Sequence, residues 1–295
     1  MTSGRHLGYA HSVVQQLPIG YILDLDDPRA PTHDQWALMS PAERERVVAM
    51  LPARLPLSLV PEGDPHRKAK TSALEALDGF FQRTGRRIYL SSEIGVYYPG
   101  ERRFAPDLLA VLDVEPHDRM TWVVDAEGKG LDFVLEVHVA GDWAKDHIAN
   151  VERYARLGIH EYVVFDRKQL RLQGYRLVPR TRTYQRLVPQ AGFFASEVLG
   201  LDLRVEGTKL RFFHGNALIE DADERIARLG SIVNEVLVHK EEALRRAEEL
   251  EGKLVEEQRL RADEQRGREE EQRGREEAER RLTEALAEIE RLKRS

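Results

Sequence analysis

The sequence predicts a mixed α/β sheet domain with helices on its faces, followed by a long charged C-terminal helix. Short runs rich in β-branched and aromatic residues, bounded by Gly, Pro and Asp, recur between residues 87 and 188. Two stretches of helical periodicity precede and interrupt them. From about Asn216 the apolar residues instead recur at heptad spacing. A helix, several strands, a second helix and more strands make a layered α/β unit.

The elements follow in order. The opening stretch to Pro31 carries several turn formers and is expected to be a loose arm. Ser40-Pro41-Ala42-Glu43 reads as a helix start, with Ser40 as cap, Pro41 at the first helical position and Glu43 closing a capping box. That helix should stop near Leu51, because Pro52 disfavours helical geometry in the residue before it. Asp64-Pro65 opens a second helix, with apolar positions at Ala69, Ala73, Leu74, Leu77, Phe80 and Phe81, ending near Gly85. Strands are predicted over 87–90, 94–98, 108–113, 121–124 and 131–139. A helix follows over 142–157, with Gly158 placed to terminate it. Further strands are predicted over 162–165, 170–177 and 184–188. The expected division is an arm and short helix over 1–55, the sheet domain over 56–215 and the heptad helix over 216–295.

With Ile226 at position a, one register holds Leu229, Val233, Val236, Lys240, Ala243, Ala247, Leu250 and Leu254. The seam turns polar at Glu257, Arg261, Glu264, Arg268, Glu271 and Arg275, then apolar again at Ala278, Leu282, Ala285, Ile289 and Leu292. Residues 264–270 and 271–277 both read EQRGREE. This is a coiled-coil pattern, although charged core positions weaken its middle, where a solvated single helix is the alternative. Such a helix serves dimerisation or recruitment of a partner and carries no chemistry.

The chain has no cysteine, which excludes disulfides and thiolate metal sites. It shows neither a signal-peptide core nor a membrane-length apolar run, so a soluble cytoplasmic protein is expected. Its net charge of −6 argues against a generally basic nucleic-acid coat. That value averages unlike parts: residues 240–295 hold 15 Lys/Arg against 18 Asp/Glu. A local basic patch, or a bound cation, still attracts phosphate.

The segment carrying chemistry begins at Pro106-Asp107, just before the apolar run Leu108–Leu112. A second run, Asp132-Phe133-Val134-Leu135-Glu136-Val137-His138, sets Glu136 among core residues. A carboxylate there must be paired or bind metal to offset its desolvation. Strand alternation puts Glu136 and His138 on one face. One Asp and one Glu from neighbouring strands suit Mg²⁺ or Mn²⁺, which activates water and stabilises a phosphodiester's developing charge. Taken singly, Asp107 also reads as a turn residue and Glu136 as an arginine partner. The following helix places Asp146, Asn150 and Tyr154 in i, i+4, i+8 register, which makes the combination more specific.

Pro106-Asp107, Leu135-Glu136-Val137, Asp146-x-x-x-Asn150-x-x-x-Tyr154 and Gly158-Ile159-His160-Glu161-Tyr162-Val163-Val164-Phe165-Asp166 together resemble the Uma family of restriction-endonuclease-like proteins, a branch of the PD-(D/E)XK nuclease fold. The resemblance implies a restriction-endonuclease-like central sheet flanked by helices, a Mg²⁺ site and phosphodiester hydrolysis, with DNA as partner. It assigns Asp107 as the PD aspartate and Glu136 as the second carboxylate. The pattern expects a lysine two residues after the glutamate, where this chain has His138. Uma-type sequences commonly carry one on the next helix instead, where this chain has Asn150.

Lys145, at the start of that helix, and His138, as base or metal ligand, are the candidate substitutes. On a regular helix Lys145 and Asn150 point in clearly different directions. His66 and Glu75, on the earlier helix, are accessory candidates. Lys70 lies one turn from His66. Arg86, Arg87, Arg102 and Arg103 are candidate contacts to a DNA backbone. The leading reading is a Mg²⁺-dependent DNA endonuclease that dimerises or recruits a partner through residues 216–295, bringing two active sites together. The alternative is a catalytically inactive nuclease-fold adaptor acting through the coiled coil.

Overall fold

A computed structural model describes residues 14–16, 20–53, 63–141 and 143–293. The chain divides into two compact units, Met1–Arg225 and Ile226–Ser295.

The first unit opens with strands β1 (Val14–Gln16) and β2 (Ile22–Asp24), paired antiparallel. The stretch before Pro31 is therefore not the loose arm expected, at least over its described residues. Tyr21, Leu23 and Ala30 are buried with Trp36, Met39 and Val47 against Tyr97 and Val123. Leu23 alternates with exposed Ile22 and Asp24, the period of a half-buried strand, but three residues are too few to show it against the turn formers around them. The part of that expectation falling on residues 1–13 and 17–19 lies outside the described residues.

Helix α1 (His33–Leu38), unforeseen, is closed by a Thr32–Gln35 capping box. Helix α2 (Pro41–Met50) begins as read: the Glu43 carboxylate accepts from the Ser40 N–H at 2.8 Å and from its hydroxyl at 2.7 Å. Helix α3 (Asp64–Thr84) is capped by Gly63 rather than by Asp64, and ends on left-handed Gly85. Its apolar stripe of Ala73, Ala76, Leu77 and Phe81 is buried against the main sheet.

That sheet has six strands: β3 (Ile88–Ser91), β5 (Leu108–Leu112), β7 (Phe133–His138), β8 (Glu161–Asp166), β9 (Arg171–Val178) and β10 (Thr183–Arg186). Their spatial order is β10-β9-β8-β7-β5-β3. Strands β7 and β8 run parallel and their neighbours pair antiparallel, so the sheet is mixed, as predicted. Strands β4 (Gly95–Tyr97) and β6 (Thr121–Val123) form a small parallel pair, and α4 (Val124–Glu127) follows directly.

Both faces of β7 are buried. Phe133, Leu135 and Val137 join the core under α3, while Val134 joins the opposite core with Leu109, Val164 and Tyr154. Tyr154 belongs to α5 (Asn150–Leu157), which Gly158 ends at φ 82° with its N–H on the Ala155 carbonyl. The predicted helix over 142–157 is not uniform, however. Lys145–Ala149 forms a π-helical turn ahead of α5, and Asp142 lies outside the described residues.

Four further strands, β11 (Phe194–Ser196), β12 (Leu201–Glu206), β13 (Lys209–His214) and β14 (Ala217–Ile219), build an antiparallel sheet that was not expected. The hairpins turn at Gly207 (φ 57°) and Gly215 (φ 58°), in the left-handed region that favours glycine. The long helix α6 (Ala222–Lys293) thus starts after β14 rather than at Asn216. Asp221 opens it: its carboxylate accepts from the Glu224 N–H at 3.1 Å, and Glu224 returns the contact to the Asp221 N–H at 3.3 Å. The second unit continues this helix, and the side chains described in it are exposed. No described helix is long and apolar enough to cross a membrane.

Candidate active site

The register of two strands places the carboxylates. In the antiparallel pair of β5 and β7, Leu108 sits opposite Leu135 and Ala110 opposite Phe133. Continued by one residue, the same register sets Asp107 opposite Glu136. Side chains alternate across a strand, so Asp107 follows Leu109, and Glu136 follows Val134, onto the α5 face of the sheet. The Asp107 Oδ2 accepts from the Val137 N–H at 2.7 Å, tying the end of one strand to the middle of the next. The same oxygen meets Nε2 of His66 at 3.0 Å, from the first turn of α3. Of the accessory candidates, His66 is therefore at the site. Glu75 lies about two and a half turns further along α3, where its backbone carbonyl accepts from Arg225.

Glu136 is 5% exposed, and its Oε1 accepts a hydrogen bond of 2.8 Å from the Tyr154 hydroxyl. Burial, and then the negative charge of Asp107, push its pKa up to about 8 against the opposing pull of Lys145 and Tyr154. Burial also raises the Tyr154 phenol well above its ordinary value, with Glu136 adding to the effect. Tyr154 was read from sequence both as a packing residue and as part of the Asp146–Asn150–Tyr154 series. No apolar-pattern argument marks it, although its i+8 spacing from Asp146 did.

His138 lies on the same face as Glu136, as alternation predicted, and is buried. Its Nδ1 stands 3.0 Å from Oδ2 of Asp146. Asp146 is in turn held by Asn150, whose Nδ2 donates to Oδ1 at 3.3 Å, while its backbone carbonyl accepts from the Tyr162 hydroxyl at 2.7 Å. Asn150 thus orients the partner of His138. The Asn150 N–H donates to the Lys145 carbonyl, so these two residues are the first and last of one i→i+5 turn, and both side chains reach Asp146 Oδ1. The regular-helix expectation that they diverge clearly does not hold. Lys145 Nζ is 3.7 Å from Asp146 Oδ1. Desolvation works to lower its pKa, but the charges of Glu136, Asp146 and Asp107 outweigh it and raise the ammonium's pKa.

Beside this cluster His147 stacks on half-exposed Trp143, ring centroids 4.4 Å apart, and meets His138 edge-on at 5.5 Å. Lys70 is buried and pairs with Glu93, whose N–H donates to the Pro106 carbonyl and so braces the residue before Asp107. A cleft of about 280 Å³ beside the start of α3 is lined by Asp64, Lys68, Ser72, Arg167 and Lys209. The Arg167 N–H donates to the His138 carbonyl at 2.8 Å. The paired arginines are engaged otherwise. Arg86 holds the Val198 and Leu199 carbonyls, Arg103 the Ala53 carbonyl, while Arg87 and Arg102 pair with Glu115 and Asp27.

Among the described residues no group of three or more His, Asp or Glu side chains forms a ready metal-ligand set. The carboxylate pair nonetheless fits a hard cation that keeps most of its water, because Mg²⁺ needs only one or two protein carboxylates. Burial is the larger cause of the raised Glu136 pKa, and the Asp107 repulsion that adds to it is what a divalent cation would relieve.

A family model described as Uma2, putative restriction endonuclease, matches residues 56–206. Among solved structures, one described as a putative nuclease belonging to DUF820 from Anabaena variabilis ATCC 29413 is 11% identical. That match covers 48% of this chain and 75% of the other, with a TM-score of 0.38. No curated protein matches.

Proposed function

The chain belongs to the Uma2 family of putative restriction endonucleases, and from that premise we propose that it is a Mg²⁺- or Mn²⁺-dependent DNA endonuclease hydrolysing phosphodiester bonds. The observation that carries this is the pairing of Asp107 with Glu136, a buried carboxylate held beside a like charge. No structural role in an apolar strand requires that arrangement.

Asp107 and Glu136 would hold the cation, which supplies Lewis-acid polarisation of the phosphoryl oxygens and a more acidic water. His138 serves as base: its Nδ1 is committed to Asp146, so Nε2 is the nitrogen that takes a proton from water. Lys145 faces the negative cluster and would offset charge developing on the phosphate, the task of the missing motif lysine. His66 and Tyr154 orient the two carboxylates, one each. Lys68 and Arg167 flank the cleft at the start of α3 and suit backbone phosphates. The long helix dimerises the protein.

A second reading, an inactive nuclease-fold adaptor, is favoured by one feature: Asn150 is spent on Asp146 and brings no charge to the carboxylates. Titration calorimetry with Mg²⁺ and Mn²⁺, with DNA cleavage assayed on the same samples, decides between them. Binding and cleavage that both vanish in Asp107→Ala/Glu136→Ala support the nuclease. A wild type that binds neither ion and leaves DNA intact supports the adaptor.

A further inference from the structure

The charged middle of α6 carries a pattern with a direction. Three consecutive heptads set glutamate at position d (Glu257, Glu264, Glu271) and arginine at position a (Arg261, Arg268, Arg275). Along the helix these residues already pair one turn apart: Glu257 with Arg261 at 2.5 Å, Glu264 with Arg268 at 3.8 Å, Glu271 with Arg275 at 2.6 Å. One exposed face therefore presents alternating acid and base. On either side of it the same seam is apolar and equally exposed, with Leu250 65%, Leu254 55%, Leu282 61% and Ile289 48% accessible.

A second copy of this chain fits that face in one orientation. In a parallel, in-register pair, a meets a and d meets d. All six charged layers would then oppose arginine to arginine or glutamate to glutamate. In an antiparallel pair, a meets d. Centred on Arg266, such a pair sets Arg261 against Glu271, Arg268 against Glu264 and Arg275 against Glu257. The same centre matches Leu250 with Leu282, Leu254 with Ala278, and Ala247 with Ala285. Ala243 then meets Ile289. Sliding one heptad either way destroys the match, opposing Leu254 to Glu271 or Leu282 to Glu257.

Resting on the dimer reading of the helix, we propose that α6 self-associates as an antiparallel two-stranded coiled coil centred on Arg266. The polar seam then sets register and direction by charge complementarity. One consequence revises the expectation drawn from sequence. At about 1.5 Å per residue, the two copies of Ile226 stand about 120 Å apart along the axis. The antiparallel pair therefore holds the starts of the two helices apart rather than side by side.

The absence of cysteine from the chain makes the test clean. Full-length Ala247→Cys and Ala285→Cys variants are oxidised separately and as an equal mixture, and the wild type is sedimented alongside. The expected result is a wild type that sediments as a dimer, with a disulfide-linked dimer forming only in the mixture of the two variants. Cross-linking of each variant with itself would mean parallel pairing and overturn the orientation while keeping the dimer. A wild-type dimer with no cross-link in any sample would overturn the register. A wild-type monomer would overturn both the inference and the dimer on which it rests, leaving the metal site to its own calorimetric test.

Discussion

The register of the β5–β7 pair, continued one residue beyond β5, brings Asp107 level with Glu136, and the Asp107 carboxylate is anchored by the N–H of Val137, the residue after Glu136. Two acids are thereby fixed in one place by backbone register rather than by flexible side-chain contacts. Asp107→Asn keeps an oxygen for Val137 and removes the charge that helps raise Glu136. The expected outcome is loss of Mg²⁺ binding by calorimetry, with a lowered Glu136 pKa by carboxyl NMR titration. An unchanged Glu136 titration would remove the electrostatic coupling from the argument.

Glu136 makes the metal-free protein weaker in alkali. Its folded pKa, about 8, lies above the ordinary carboxylate value of 4.5, so the folded state holds a proton that the unfolded state releases. Stability is full below about pH 4.5 and is lost as pH rises through about 8. At roughly 1.4 kcal/mol per pH unit, the loss is on the order of a few kcal/mol. Glu136→Gln should flatten that profile and stabilise the protein at pH 8 while abolishing metal binding, as urea unfolding at several pH values would show. A variant as pH-sensitive as the wild type would contradict the assignment.

Tyr154→Phe removes the hydroxyl that donates to Glu136. That hydrogen bond favours the charged carboxylate, so its loss should cost more above pH 8 than below, about 1–3 kcal/mol for a bond to a charged group. Chemical denaturation at pH 6 and pH 9 measures the difference. Equal losses at both would mean that the ring only packs.

Lys145→Met should lower the rate of DNA cleavage by about 10²–10³, the scale of one electrostatic donor, with metal affinity nearly retained. Lys145→Arg should recover part of the rate. A cleaving protein indifferent to both changes would exclude Lys145 from the chemistry.

Asp221 is buried where β14 meets α6, with Lys209 Nζ and the Ser72 hydroxyl each 2.7 Å from Oδ2. Desolvation would raise its pKa, but the Lys209 and Ser72 hydrogen bonds prevail and hold it at about 2, below the ordinary 3.8. Its contribution is present above pH 3.8 and lost as pH falls through about 2, roughly 2 kcal/mol in all. Asp221→Asn should lower the thermal midpoint at pH 7 and leave it nearly unchanged at pH 2.

Amino-acid order alone carried the α/β class, the ends of α2 and α3, the main-sheet strands and the shared face of Glu136 and His138. Each of these rests on local physics: capping chemistry, proline's restriction of its predecessor, and period-two alternation. The two carboxylates were legible because a strand of Phe, Val and Leu interrupted by an acid is anomalous in any fold. The heptad register, with its reversal of charge along the seam, was legible for the same local reason.

Which residues surround those carboxylates was set by the packing of the folded chain. That Asp107 stands opposite Glu136 follows from antiparallel register, which joins residues far apart in sequence and leaves no local trace. The π-turn at Lys145–Ala149 is equally silent, because its apolar spacing reads as ordinary helix until one extra residue is accommodated. That turn links Lys145 to Asn150, and both side chains reach Asp146. The β11–β14 sheet was missed although β12, Leu201–Glu206, alternates apolar and polar residues, a local strand signature.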